Sequence, residues 1–206
     1  MASVQQAQVD SKFNDKQKAA IGKAMQDAQS ILANNEKDGQ HQLAVVGGVM
    51  QNLQRRVIVL KKTHDAEGRF LTNPPGSIGG EGHGAFVHQG ATSQGPLPVV
   101  VGSKCAIIYG TIDKMAPALG YLLAWNRPDD ANQDSKVYVE AGSQYNLEKM
   151  EWSEIEKKLD ASTNKSQFID HETGATATAE IKDNGNKRAL VAASFDRITI
   201  GIPIPN

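Results

Sequence analysis

Five histidines and one cysteine are the residues of this chain best suited to metal or nucleophilic chemistry. His41, His64, His83, His88 and His171 are scattered, with no HExxH pair and no cysteine partner at zinc spacing. His83 and His88 stand five residues apart around a short apolar run, which could place them near each other. Both are read as surface or loop residues. Cys105 lies inside an apolar run and reads as an inert core thiol, although the adjacent Lys104 would act to lower its pKa. Asp170-His171-Glu172 reads as a solvated turn. The glycine-rich stretch Gly79-Gly80-Glu81-Gly82-His83-Gly84 lacks the Lys-Ser/Thr ending of a phosphate loop, and no helix pattern follows it, so it reads as a mobile loop. Ser153, Ser162 and Ser194 have no nucleophile-elbow context. No acid/base pair and no metal set stands out, and neither an enzyme nor a cofactor is expected.

The aromatic residues are more telling. They make up only 5% of the chain, yet Tyr109, Tyr121, Trp125, Tyr138, Tyr145 and Trp152 fall within one stretch of it. Ring faces attract quaternary ammonium groups, and Tyr and Trp settle at water–lipid interfaces. Tyr109 and Tyr121 read as core filling. Trp125, Tyr138, Tyr145 and Trp152 suit a headgroup site and a packed core equally well. Trp125 abuts the polar run Asn126-Arg127-Pro128-Asp129-Asp130, which would set its ring at the rim of a sheet.

The elements that must position these rings centre on Val99–Gly142. Val99–Gly110, Ala118–Asn126 and Lys136–Glu140 are rich in β-branched and aromatic residues and are separated by turn formers, so three sequential antiparallel strands are expected. Leu119, Tyr121, Leu123 and Trp125 share one face of the second strand, and Leu122 and Ala124 the other, so this strand is expected to be central and covered on both sides. Further strands are read at Arg56–Lys62, Ala85–His88, Ser166–Asp170, Thr176–Lys182 and Arg188–Ser194, with an edge strand at Arg197–Ile204. His64–Gly68 is read as a turn, and Thr72–Gly84 and Gln89–Pro98 as exposed loops. Asn14 with Gln17 resembles a capping box opening an amphipathic helix over Asp15–Ala33. A second helix is read through Leu43, Val46, Val49, Met50 and Leu53, weakened by Gly47 and Gly48, and both helices, spanning residues 15–54, are expected to pack on the sheet. A short helix is read at Glu151–Ala161. The fold class is thus mainly β, a single domain over residues 1–206.

Bulk properties narrow the function. The net charge is −1 with no dense Lys/Arg run, which argues against nucleic acid and against a purely electrostatic hold on acidic membranes. A single cysteine permits no internal disulfide. The N-terminus lacks the apolar core of a secretory signal, and no apolar run approaches the ~18 residues of a membrane-spanning helix. A soluble chain made in the cytoplasm is expected, meeting membranes peripherally, at their outer leaflet when presented from outside.

The wording of the strands carries a resemblance. Gly102-Ser103-Lys104-Cys105-Ala106-Ile107-Ile108-Tyr109, Gly120-Tyr121-Leu122-Leu123-Ala124-Trp125-Asn126 and Lys136-Val137-Tyr138-Val139-Glu140 resemble the central strands of the jasmonate-induced protein family of plants and its nakanori-type fungal relatives. The N-terminal helices and Gly82-His83-Gly84-Ala85-Phe86 fit the same family. The resemblance implies an actinoporin-like β-sandwich whose ligand is sphingomyelin together with cholesterol, without pore formation. In actinoporins the phosphocholine pocket is built from Tyr, Ser and Pro on the lower loops. Trp125, Pro128, Tyr138 and Tyr145 match it in kind, and Trp152 joins them from the aromatic reading above. The leading expectation is therefore a non-enzymatic module binding membrane lipid through these five residues. A sugar-binding lectin stacking Trp125 or Trp152 on a ring, and an actinoporin-like pore former, are the alternatives.

Overall fold

The computed structural model describes the backbone of residues 2–34, 43–92, 99–112, 117–130, 132–185 and 187–198, and within the first of these stretches the side chains of 15–33. Two sheets face each other. One holds β1 (Val45–Asn52), β3 (Arg69–Thr72), β5 (His83–Gln89), β11 (Lys165–Ile169), β12 (Ala175–Asp183) and β13 (Arg188–Arg197), in the order β11-β12-β13-β1-β5-β3. The other holds β2 (Ile58–Glu67), β4 (Ser77–Ile78), β8 (Ser103–Thr111), β9 (Leu119–Arg127) and β10 (Lys136–Ser143), in the order β10-β9-β8-β2-β4. A separate pair joins β6 (Ala91–Thr92) to β7 (Val100–Val101). The β-sandwich that the family resemblance implies is present.

Helices cover both outer faces. The helix α1 (Ala2–Asn34) lays Ile21, Ala24, Ala28 and Leu32 on Val49, Leu190 and Ala192 of the six-stranded sheet. The helices α2 (Gln144–Lys149) and α3 (Trp152–Asp160) lay Leu147, Ile155 and Leu159 on Ala106, Ile108, Leu122 and Ala124 of the five-stranded sheet. The inner faces meet around Trp125, Tyr109, Tyr121, Phe86 and Phe195. The central strand is covered twice, as its composition requires. Its odd-numbered residues Leu119–Trp125 enter the core between the sheets, and Leu122 and Ala124 meet α2 and α3.

Several expectations change. The second helix is the strand β1. Val45 and Val49 pack toward α1, while Val46 and Met50 enter the core. Both faces are apolar, so the period-two alternation is hidden and a helical spacing emerges by coincidence. The two glycines that weakened the helix are what the strand needs. A Cβ on Gly47 would stand 2.6 Å from Leu32 Cδ1 of α1, and one on Gly48 would stand 2.0 Å from the Phe86 ring. The helix α1 begins at Ala2, so Asn14 and Gln17 form no capping box at its start. Gln17 instead accepts the Thr178 hydroxyl. His64 to Glu67 belong to β2, and the chain turns at Gly68, whose φ of +100° favours glycine. The edge strand read at Arg197–Ile204 lies mostly outside the described residues. Residue 197 closes β13, and 198 is not in a strand.

Candidate functional site: an apolar and basic rim

Strand register brings several loops to one end of the sandwich. Ile58 pairs with Thr111, so Val57 and Ile112 leave the sheet side by side. Ser143 pairs with Leu119, and the Gln144 N–H donates to the Ala118 carbonyl at 3.0 Å, which sets Tyr145 beside the start of β9. Asn52 pairs with Phe195, so the β1–β2 connection and the end of β13 share this rim. Lys16 of α1 joins them, donating to Asp196 at 2.7 Å. The helix runs antiparallel to β1 and β13, and its N-terminal direction is therefore toward the rim.

Most apolar side chains end up inside, so the exposed ones here stand out. Val57 is 41% exposed, Ile112 58% and Tyr145 64%. Pro117 and Ala118 are exposed just before β9, and Arg55, Lys149 and Arg197 are exposed at the same end of the sandwich, as are the acidic Glu81 and Glu172. Lys149 Nζ lies 4.1 Å from the centre of the Tyr145 ring and also bonds its hydroxyl, so this ring face already holds a cation. The rim is built on a fixed base. Buried Asn52 donates its amide to the carbonyls of Arg56 (2.6 Å), Gly79 (2.9 Å) and Ile78 (3.3 Å). The Glu81 N–H donates to Gln54 O at 2.9 Å, and a Cβ on Gly80 would stand 2.1 Å from Arg55 O. The glycine-rich stretch read as a mobile loop is thus tied to the turn that carries Arg55 and Val57.

The five residues expected to bind a headgroup do not converge. Trp125 is fully buried between the sheets. It stacks on Phe86 at 4.6 Å and donates its indole N–H to Ser103 Oγ at 3.0 Å. Period two gives the reason: residue 125 shares the inward face with Tyr121 and Leu123, and the polar run begins only after it. Pro128 is half-buried at the far end of β9, nine residues from Leu119, or about 30 Å at the rise of a strand. Tyr138 is half-buried on the outer face of β10, where its hydroxyl donates to Glu140 at 2.6 Å, and Lys158 of α3 pairs with the same carboxylate at 2.8 Å. Burial, together with the hydrogen bond to Glu140, pushes the Tyr138 phenol up. Trp152 is half-buried at the start of α3, 6.0 Å from the His64 ring. Only Tyr145 stands on the rim. Val57, Ile112 and Arg55 were missed because they sit in connections that carry no motif; exposure of an apolar side chain is a property of the folded surface.

The remaining chemistry-bearing residues fall elsewhere. His83 is exposed at the start of β5 and His88 is fully buried near its end; an odd spacing along a strand puts them on opposite faces. Lys104 points away from Cys105 and pairs with Glu156 at 2.6 Å. Burial, reinforced by Asp65, pushes the Cys105 thiol up rather than down. The opposite end of the sandwich also exposes Val99 and Val100, but beside the ion pairs Lys187–Asp129 (2.7 Å) and Arg127–Asp183 (3.3 Å).

The model of the Nakanori-like protein family matches residues 4–193. This chain belongs to that family. Its fold is similar to the solved structure of the lipid-binding protein Nakanori, with a TM-score of 0.64 and 22% identity over 84% of this chain and 79% of that one. A Xerocomus chrysenteron lectin matches with a TM-score of 0.47 and 8% identity, over 74% of this chain and 99% of that one. No curated protein sequence matches. No helix among the described residues is long and apolar enough to cross a membrane.

Proposed function

We propose that this protein binds membrane lipid without catalysis, docking by the rim of Val57, Ile112 and Tyr145. The observation that carries the reading is this set of exposed apolar side chains on one end of the sandwich, where Arg55, Lys149 and Arg197 are also exposed. Apolar groups gain by leaving water for the acyl boundary, and cations beside them meet headgroup phosphates. Membership of the Nakanori-like family, and a fold shared with a protein described as lipid-binding, support the same reading. The specific ligand is sphingomyelin in membranes that also contain cholesterol, bound peripherally at the outer leaflet. The headgroup contacts come from the rim rather than from Trp125, Pro128, Tyr138 and Trp152.

Against the lectin alternative, Trp125 is sealed in the core and Trp152 is half-buried beside His64. Co-sedimentation with vesicles tests the proposal. Retention by sphingomyelin–cholesterol vesicles, little retention by phosphatidylcholine alone and no release of trapped dye are expected. Equal pelleting with both vesicle types overturns the specificity, and dye release identifies a pore former.

A further inference from the structure

At the edge of the sandwich far from the rim's apolar set, three potential metal ligands come together from three strands. Asp65 on β2 and Cys105 on β8 are register partners, and the Cys105 thiol donates to Asp65 Oδ1 at 3.3 Å. His88 reaches them from β5 on the other sheet. One ligand atom from each residue lies within 4.8 Å of the others. His88 and Cys105 are fully buried, while Asp65 is exposed and opens the group to solvent.

The imidazole is held as a ligand would be. His88 Nδ1 is 2.8 Å from Ser103 Oγ, and the same oxygen receives the Trp125 indole N–H. Phe70 packs edge-on against the ring at 4.7 Å, and Gly68 leaves it room: a Cβ there would stand 2.8 Å from His88 Cε1. The other nitrogen, Nε2, is buried and has no hydrogen-bond partner. When Ser103 accepts the Nδ1 proton, Nε2 presents a bare lone pair, which is the usual arrangement of a metal-bound histidine with its outer partner.

We propose that Asp65, His88 and Cys105 form a transition-metal site, with Zn2+ as the fitting ion. One thiolate, one imidazole and one carboxylate make a donor set of borderline softness, suited to tetrahedral Zn2+ with water in the fourth position. Zn2+ bond lengths of about 2.0–2.3 Å set ligand atoms roughly 3.5 Å apart at tetrahedral angles. Asp65 Oδ1 already stands 3.3 Å from Cys105 Sγ, close to that spacing, so these two ligands are nearly in place. Binding replaces the Cys105 S–H bond by a sulfur–zinc bond and releases one proton to solvent through the open side. The ion then clasps the two sheets where the chain crosses between them at Gly68. This site is independent of the lipid reading.

The test uses the full chain, stripped with chelator and titrated with Co2+ and then Zn2+. One Co2+ per chain is expected, with a thiolate-to-cobalt charge-transfer band and tetrahedral ligand-field bands that Zn2+ abolishes. Cys105→Ser should lose the charge-transfer band. Asp65→Asn, at an exposed position that leaves the core intact, should weaken Zn2+ binding about tenfold or more. Absence of the band in the wild-type chain overturns the site. So does Zn2+ affinity unchanged in Asp65→Asn, which marks adventitious surface binding and stands even if Cys105→Ser fails to fold.

Discussion

Replacing Val57 and Ile112 together by serine separates docking from folding. Burying a Val or Ile side chain fully is worth roughly 1.5–3 kcal/mol. Ile112 is 58% and Val57 41% exposed, so about half of that value remains to be gained from each on entering lipid. The pair therefore contributes about 2 kcal/mol, which is roughly a 30-fold change in partition. The two side chains leave the sheet next to each other, so shared surface makes this an upper value. Neither is in the core, and stability should change by no more than about 0.5 kcal/mol per site. The assay is a vesicle titration by co-sedimentation, with thermal melts to verify the fold. Val99→Ser with Val100→Ser is the matched control, because these residues are exposed at the opposite end. A partition that falls less than about twofold in the rim variant, or falls equally in the control, refutes the assignment of this rim as the docking surface.

Trp125→Ala should act through stability instead. It empties the space beside Phe86 and leaves Ser103 without its indole donor, at a cost of roughly 3–5 kcal/mol, read as a large fall in Tm; loss of vesicle binding in a fully folded Trp125→Phe variant would contradict this. Acid should destabilise the chelator-treated protein. Burial pushes His88 down to about 4, with Asp65 opposing, while Cys105 beside it stays a neutral thiol. Between pH 6.5 and 4 the unfolded chain binds a proton that the folded chain refuses. This contribution is complete above pH 6.5 and is lost as pH falls, by about 3 kcal/mol in all. Urea midpoints across this window should fall more steeply for the wild-type chain than for His88→Gln, and equal slopes would show that His88 is not the group responsible.

Much of the architecture follows from local pattern. Alternation and turn formers in Val99–Gly142 specify three paired strands, and the two apolar faces of Leu119–Trp125 require cover on both sides. The helix over 15–33 is legible because lysines face water while Ile21, Ala24, Ala28 and Leu32 recur along one side. Three-dimensional packing decides the rest. Val45–Asn52 is a strand rather than a helix because α1 approaches Gly47 from one side and Phe86 fills the space over Gly48 from the other, contacts between residues far apart in the chain. For Trp125 the strand period and the polar run after it point in different directions, and stacking on Phe86 of the facing sheet decides for the core. The rim and the Asp65–His88–Cys105 group are invisible in the chain. Each is assembled by register from strands whose sequence separation encodes no motif, and only the closing of one sheet on the other gives those side chains a common place.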